Sequence, residues 1–420
     1  MKKERWRTHL RWIQPGLHIK RWLLLLMLGV GLFSVGLATL FRLFPPLFGH
    51  LNFLRLDFLA PEVRAGLFCL LGLGGLGVAL WRLNHALLEP FLEKAETTYP
   101  EVLYRYRLRE RGPRVVVLGG GHGQATILRG LKAYTLNLTA IVTVADDGGS
   151  SGRLRREMGI LPPGDFRNCI AALADDESLM TRVMQYRFLN GGGLAGHSFG
   201  NLFISAMAGV TGSFERALGE SSRVLAVQGQ VLPSTLTPVV LAADVRLGEG
   251  TPVRVRGESK IPQSGGEILR VLLEPADPPA YPGAVQEILN AQMLVIGPGS
   301  LYTSIMPNLL VPEIARAIRA SPAVKVYVCN VATQPGETDG YAVEEHLQVL
   351  ETHLGPQLYD VVVINDTLPD VPLPEKVTWV QPRFRRRETV RVLSAPLVSE
   401  TIPWQHDSRK LARLVIGLLQ

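Results

Sequence analysis

Four short segments of the 420-residue chain carry side chains and backbone that could do chemistry. Gly119-Gly120-Gly121-His122-Gly123 sets three glycines before a histidine, and bare backbone amides of this kind can close on a phosphate. Asp146-Asp147-Gly148-Gly149-Ser150 places two carboxylates against small residues that would let a ligand approach. Such acids could accept hydrogen bonds from ligand hydroxyls or hold a hard cation such as Mg2+. Gly196-His197-Ser198-Phe199-Gly200 fits the G-x-S-x-G pattern of a nucleophilic serine, and Gly297-Pro298-Gly299-Ser300 is a further glycine loop. Each has an ordinary reading beside the chemical one: Asp146 and Asp147 as a solvated turn, His122 as the polar opening of a helix, Ser198 as a helix cap. Asp165, Arg167 and Asn168, after Pro162-Pro163-Gly164, fit turn chemistry or a site equally.

The elements that must position these groups follow from the flanking residues. Short apolar, β-branched runs stand immediately before the loops: 115–118 before the first glycines, 139–144 before the aspartates, and 293–296 before Gly297. Runs at 325–329 and 359–364 likewise end in Asn330 and Asn365-Asp366, and a helical pattern spans 124–133. Repeated strand, loop and helix units predict a Rossmann-like, doubly wound, mostly parallel α/β sheet, whose ligands sit at the carboxyl ends of the strands. G-x-x-x-x-G-K-[ST] is absent, which disfavours a P-loop enzyme, and Thr126 stands where the third glycine of G-x-G-x-x-G would be. Gly196 follows a glycine loop rather than a strand, which argues against a hydrolase elbow and for Ser198 as a cap. Arg385-Arg386-Arg387 reads as a solvated charge run.

At 47% hydrophobic and 19% charged residues, the chain must bury a large core and is neither disordered nor a coiled coil. Residues 1–21 hold seven basic side chains against Glu4, so nearly all of the net charge of +7 lies in this tail and not on a nucleic-acid-binding face. Residues 22–41 and 65–81 are free of charge and bounded by arginines, which predicts an N-terminal transmembrane helical hairpin. The basic tail keeps both ends in the cytoplasm, giving a two-pass protein of the inner, cytoplasmic membrane. The expected organisation is 1–82 for tail and hairpin, 83–111 as linker, and 112–420 as the Rossmann-like α/β domain. Three separated cysteines show neither a disulfide framework nor a zinc pattern.

Five longer strings carry a family resemblance: 115–132, 140–175, 191–202, 295–310 and 329–347, in this order. Together they resemble the gluconeogenesis-factor (YvcK-like) proteins, relatives of the CofD 2-phospho-L-lactate transferases of deazaflavin coenzyme synthesis. The resemblance implies binding of a UDP-sugar such as UDP-N-acetylglucosamine, with no required cofactor, and regulation of carbon metabolism, cell shape and cell-wall synthesis. It also implies cell-wall synthesis proteins and further copies of the chain as partners, beside the membrane expected from the two uncharged runs, while the charge distribution leaves no nucleic acid among them. The alternative it implies is phospholactate transfer from a nucleotide-activated donor, with Asp146 and Asp147 catalytic and holding Mg2+. The ligand-binding set that results is Gly119, Gly120, Gly121, His122, Gly123, Asp146, Asp147, Gly148, Gly149, Ser150, Ser198, Asn201, Gly297, Pro298, Gly299, Ser300, Thr303 and Asn308. His122 departs from the threonine usual in the family's glycine loop.

Overall fold

The computed structural model describes residues 109–420, apart from 175, 176, 191, 357 and 420, together with scattered positions between 28 and 80. The chain divides into two compact units, Met1–Arg107 and Leu108–Gln420. In the first, Leu28, Val30, Gly31 and Ser34 are helical, as are the described residues from 62 to 80. Most of the expected span at 22–41 and part of that at 65–81 lie outside the described residues, and among the described residues no helix is long and apolar enough to cross a membrane.

The second unit is built on seven strands: β1 (Val115–Gly119), β2 (Leu138–Val142), β3 (Gln230–Pro233), β7 (Met293–Ile296), β8 (Val324–Val328), β9 (Val361–Asn365) and β10 (Arg391–Ala395). They pair in the order β10-β9-β8-β7-β1-β2-β3, every pair parallel. β1, β2, β7 and β9 are buried at every position, which is why they read in the sequence as nearly continuous apolar runs rich in Val, Ile and Leu. From β1 the chain winds outward through β2 to β3, and from β7 it winds the other way. The order therefore reverses between β1 and β7, the switch point where open α/β sheets hold ligands.

Helix α1 (Gly121–Leu131) follows β1 and starts inside the glycine run, three residues before the expected helix. It packs on α3 (Gly164–Leu173) and on α5 (Ser408–Ile416), near the end of the chain. Gly130 makes this packing close, since a Cβ there would stand 1.9 Å from the Ser408 carbonyl oxygen. Between them in sequence lie α2 (Gly149–Met158), opened by the acidic loop, and α4 (Phe199–Thr211).

The expectation of parallel strands misses one element. Between β3 and β7 the chain forms a separate antiparallel sheet of β4 (Val240–Arg246), β5 (Val253–Arg256) and β6 (Glu267–Glu274), in the order β5-β4-β6. The turn after β5 carries Glu258 to the mouth of the large sheet.

Candidate functional site

The cleft forms where the loops after β1 and β7 face each other at the switch point, and it encloses about 470 Å³. Specific contacts require its glycines. Gly121 has φ of +61°, a left-handed conformation that side chains resist, and a Cβ on Gly120 would lie 2.5 Å from an Asp165 carboxylate oxygen. A Cβ on Gly123 would lie 2.5 Å from the Pro298 carbonyl oxygen, so the two loops touch only because residue 123 is bare. Gly120 has no side chain to cap α1 and the first turn holds no acid of its own; the Asp165 carboxyl accepts the Gly121 N–H, and the remaining amides of the helix end face the cleft.

The second loop is held from behind. Gly297 N–H donates to Leu118 O (2.9 Å), and Asn330 grips Gly299 at both ends, accepting from its N–H (3.2 Å) and donating to its carbonyl (2.8 Å). Asn308 Nδ2 donates to the carbonyls of Gly119 and Ser304, both at 2.8 Å, and so ties the β1 strand end to the segment beyond the second loop. Thr303 donates to Glu337 (3.0 Å), and Gln334 donates to Ser300.

Carboxyl groups build one wall: Asp146 from the end of β2, Asp165 from α3 and Glu258 from the small sheet. Desolvation, helped by the charge of Asp146, pushes the Asp165 carboxyl up to about 7, although the Gly121 amide and Arg167 pull it down. Desolvation and the charges of Asp146 and Asp165 push Glu258 to about 8. Burial raises Asp146 as well, against the Gly148 amide it accepts from at 2.9 Å. At neutral pH Glu258 is therefore mostly protonated and Asp165 about half so, and a protonated carboxyl can donate as well as accept hydrogen bonds.

Of the residues expected at a site, Gly120, Gly121, His122, Gly123, Asp146, Pro298, Gly299, Ser300 and Thr303 line the cleft. Gly119, Asp147, Gly148, Gly149, Gly297 and Asn308 lie beside or behind the lining. Asp147 turns from Asp146: its carboxylate accepts the Ser259 N–H at 2.9 Å and anchors the small sheet. Among the described residues there is no group of three or more His, Cys, Asp or Glu side chains that could hold a metal ion.

Ser150, Ser198 and Asn201 belong to a buried polar cluster away from the lining. Ser198 caps α4, accepts from Asn201 N–H (3.4 Å) and takes a hydrogen bond from Arg167 at 2.7 Å. His197 Nδ1 pairs with Ser150 (2.9 Å), and Asn201 donates to the same hydroxyl at 3.0 Å. With a guanidinium on its oxygen and the neighbouring imidazole engaged by Ser150, Ser198 lacks the base a nucleophile needs.

Sequence reasoning left out Glu258, Asn330, Gln334, Trp404 and His406, all of which line the cleft, and it left the role of Asp165 open. The period-two Val253-Arg254-Val255-Arg256 and Gly257 signalled a strand ending beside Glu258. Nothing local marks Trp404 or His406, which reach the cleft through the tertiary fold.

Residues 115–398 match the family described as 2-phospho-L-lactate transferase CofD. A gluconeogenesis factor from Bacillus subtilis (strain 168) is 43% identical over 316 residues, covering 73% of this chain and 98% of its own. A relative from Nostoc sp. is 47% identical over 427 residues, covering 97% of this chain and 91% of its own. A crystal structure of a UPF0052 family member from Bacillus halodurans superposes with a TM-score of 0.66 at 42% identity, covering 73% of this chain and 99% of that one.

Proposed function

The chain belongs to the 2-phospho-L-lactate transferase CofD family, among its gluconeogenesis factors, and on that premise we propose that it binds a UDP-sugar of the UDP-N-acetylglucosamine type. In this reading the protein is a regulator of carbon metabolism, cell shape and cell-wall synthesis, and needs no metal to bind its ligand. One observation carries it: two glycine loops from adjoining strands meet at the switch point over a helix N-terminus whose first turn carries no acid. A pyrophosphate needs such backbone donors and a positive helix end. The raised carboxyls of Asp165 and Glu258 remove most of the repulsion an anion would meet, and suit the hydroxyls of a sugar.

The same reading tethers the domain to the cytoplasmic membrane through residues 22–41 and 65–81. It is supported by Leu70, Leu71 and Val78, which are helical and each at least 60% exposed, as lipid-facing residues would be. Carbonate-washed membranes should retain the full chain, and release into the supernatant would refute the tether.

Binding is tested by titrating the full chain in detergent with UDP-N-acetylglucosamine in EDTA. Saturable binding is expected, with stabilisation of roughly 2.7 kcal/mol at 100 times the Kd. Failure of every UDP-sugar to bind would refute the reading. Turnover of guanine-activated phospholactate with a deazaflavin acceptor, dependent on Mg2+, would favour the transferase instead.

A further inference from the structure

The lining of the cleft divides into two chemically different sets of residues, and the difference assigns the two halves of the ligand. Asp146, Asp165 and Glu258 form one set. A second set, residues 330–335 with Val377 and 404–406, contributes no carboxylate to the lining. It contains His406, a residue only 6% exposed, whose Nε2 has no hydrogen-bond partner while the ring bonds the Cys329 carbonyl. Among the described buried side-chain atoms without a partner, His406 Nε2 alone belongs to a residue lining the cleft. Leaving such an atom unpaired is costly, and a ligand that pairs it recovers that cost. Beside it Trp404 lines the cleft with 39% of its surface exposed, a flat apolar side chain open to a planar ring.

We propose that this neutral set is the nucleobase subsite, where His406 Nε2 accepts the ring N3–H of a uracil base laid against Trp404, and that the carboxyl set takes the sugar. The inference rests on the UDP-sugar reading above and deepens it by naming what selects the base. Burial holds His406 neutral, down to about 4. Because the ring donates to a carbonyl through Nδ1, its proton sits there and Nε2 presents a lone pair. Uracil offers a donor at N3. Cytosine offers a lone pair at the same position, which would face the lone pair of Nε2 and leave both unpaired. A site of this kind rejects the analogue lacking the proton much more strongly than a shape filter does.

The test measures Kd for UDP, CDP and N3-methyl-UDP on the full chain in detergent, for the wild type and for His406→Phe, Trp404→Ala and Glu258→Gln. The wild type should prefer UDP over both analogues by about 10- to 100-fold, the value of one buried hydrogen bond. His406→Phe should bind UDP as weakly as CDP, and Trp404→Ala, an exposed change that spares folding, should weaken UDP and CDP alike. Glu258→Gln should leave the ratio unchanged. A UDP preference that survives His406→Phe, UDP and CDP affinities left unchanged by Trp404→Ala, or a preference that vanishes in Glu258→Gln, would overturn the base assignment alone. Absence of binding by the wild type to any of the nucleotides would overturn the UDP-sugar reading with it.

Discussion

Replacing Asp165 by Asn should stabilise the protein at alkaline pH and leave it nearly unchanged in mild acid. The carboxyl carries a pKa of about 7 in the fold against an ordinary value of 3.8, so the folded state holds a proton that the unfolded chain releases. The sign follows directly. Below about pH 4 both states are protonated and the group costs nothing, and as pH rises through 7 the folded state must accept a desolvated charge beside Asp146. The gap between the folded and ordinary values corresponds to about 4 kcal/mol, and solvent reaching the cleft reduces this to ~2–4 kcal/mol at pH 8.5. Asn keeps an oxygen to accept the Gly121 N–H and removes the charge, so a Tm gain of several degrees is expected at pH 8.5, shrinking to under about one degree at pH 4.5. Glu258 should also titrate lower in the variant, because the charge of Asp165 is one of the influences raising it. Thermal unfolding of wild type and variant across this range is the assay. A loss of stability of equal size at both ends would show that Asp165 serves as an ordinary ionised acceptor, and the argument for a protonated wall would fail.

Two further substitutions follow from the geometry. Gly123→Ala drives a methyl group to 2.5 Å from the Pro298 carbonyl oxygen, so it should cost about 1–3 kcal/mol and weaken nucleotide binding; unchanged unfolding and Kd would mean that the loops need not touch. Ser198→Ala removes a helix cap and an Arg167 partner, so about 1–2 kcal/mol of stability should be lost with ligand affinity kept within a few-fold, and covalent capture of Ser198 by a fluorophosphonate would contradict this.

The strands around the switch point were legible because burial on both faces leaves no polar residue to interrupt Val115-Val116-Val117-Leu118 or Met293-Leu294-Val295-Ile296. The glycine loops were legible for a related reason, since side chains resist φ of +61° at 121 and a Cβ does not fit the contact at 123. Adjacent acids were not separable. Whether Asp146 or Asp147 faces the cleft is decided by Ser259, which lies 112 residues further on and claims the second carboxylate. Asn308 likewise reads as a ligand residue because a motif carries it, yet its amide is spent on two backbone carbonyls. His406 was invisible for the opposite reason: it stands in no glycine loop and owes its place to a bridge with Val398 and a hydrogen bond to the Cys329 carbonyl just past β8.

The pairing of β1 with β7 also has a consequence during biosynthesis. Val115 pairs with Met293, and Arg114 with Gln292 across a separation of 178 residues, so the inner flank of β1 acquires its neighbour only after most of the domain has left the ribosome. At ordinary elongation rates that interval is about 10–35 s, during which an apolar strand at the centre of the future sheet has one unpaired edge. A nascent chain paused before residue 293 therefore carries an aggregation-prone edge at the place where the mature protein has its cleft. Nucleotide cannot protect it at that stage, because the second glycine loop does not yet exist. Any benefit of ligand to folding is confined to the final step, when both loops are present and binding can pull the nearly finished sheet closed.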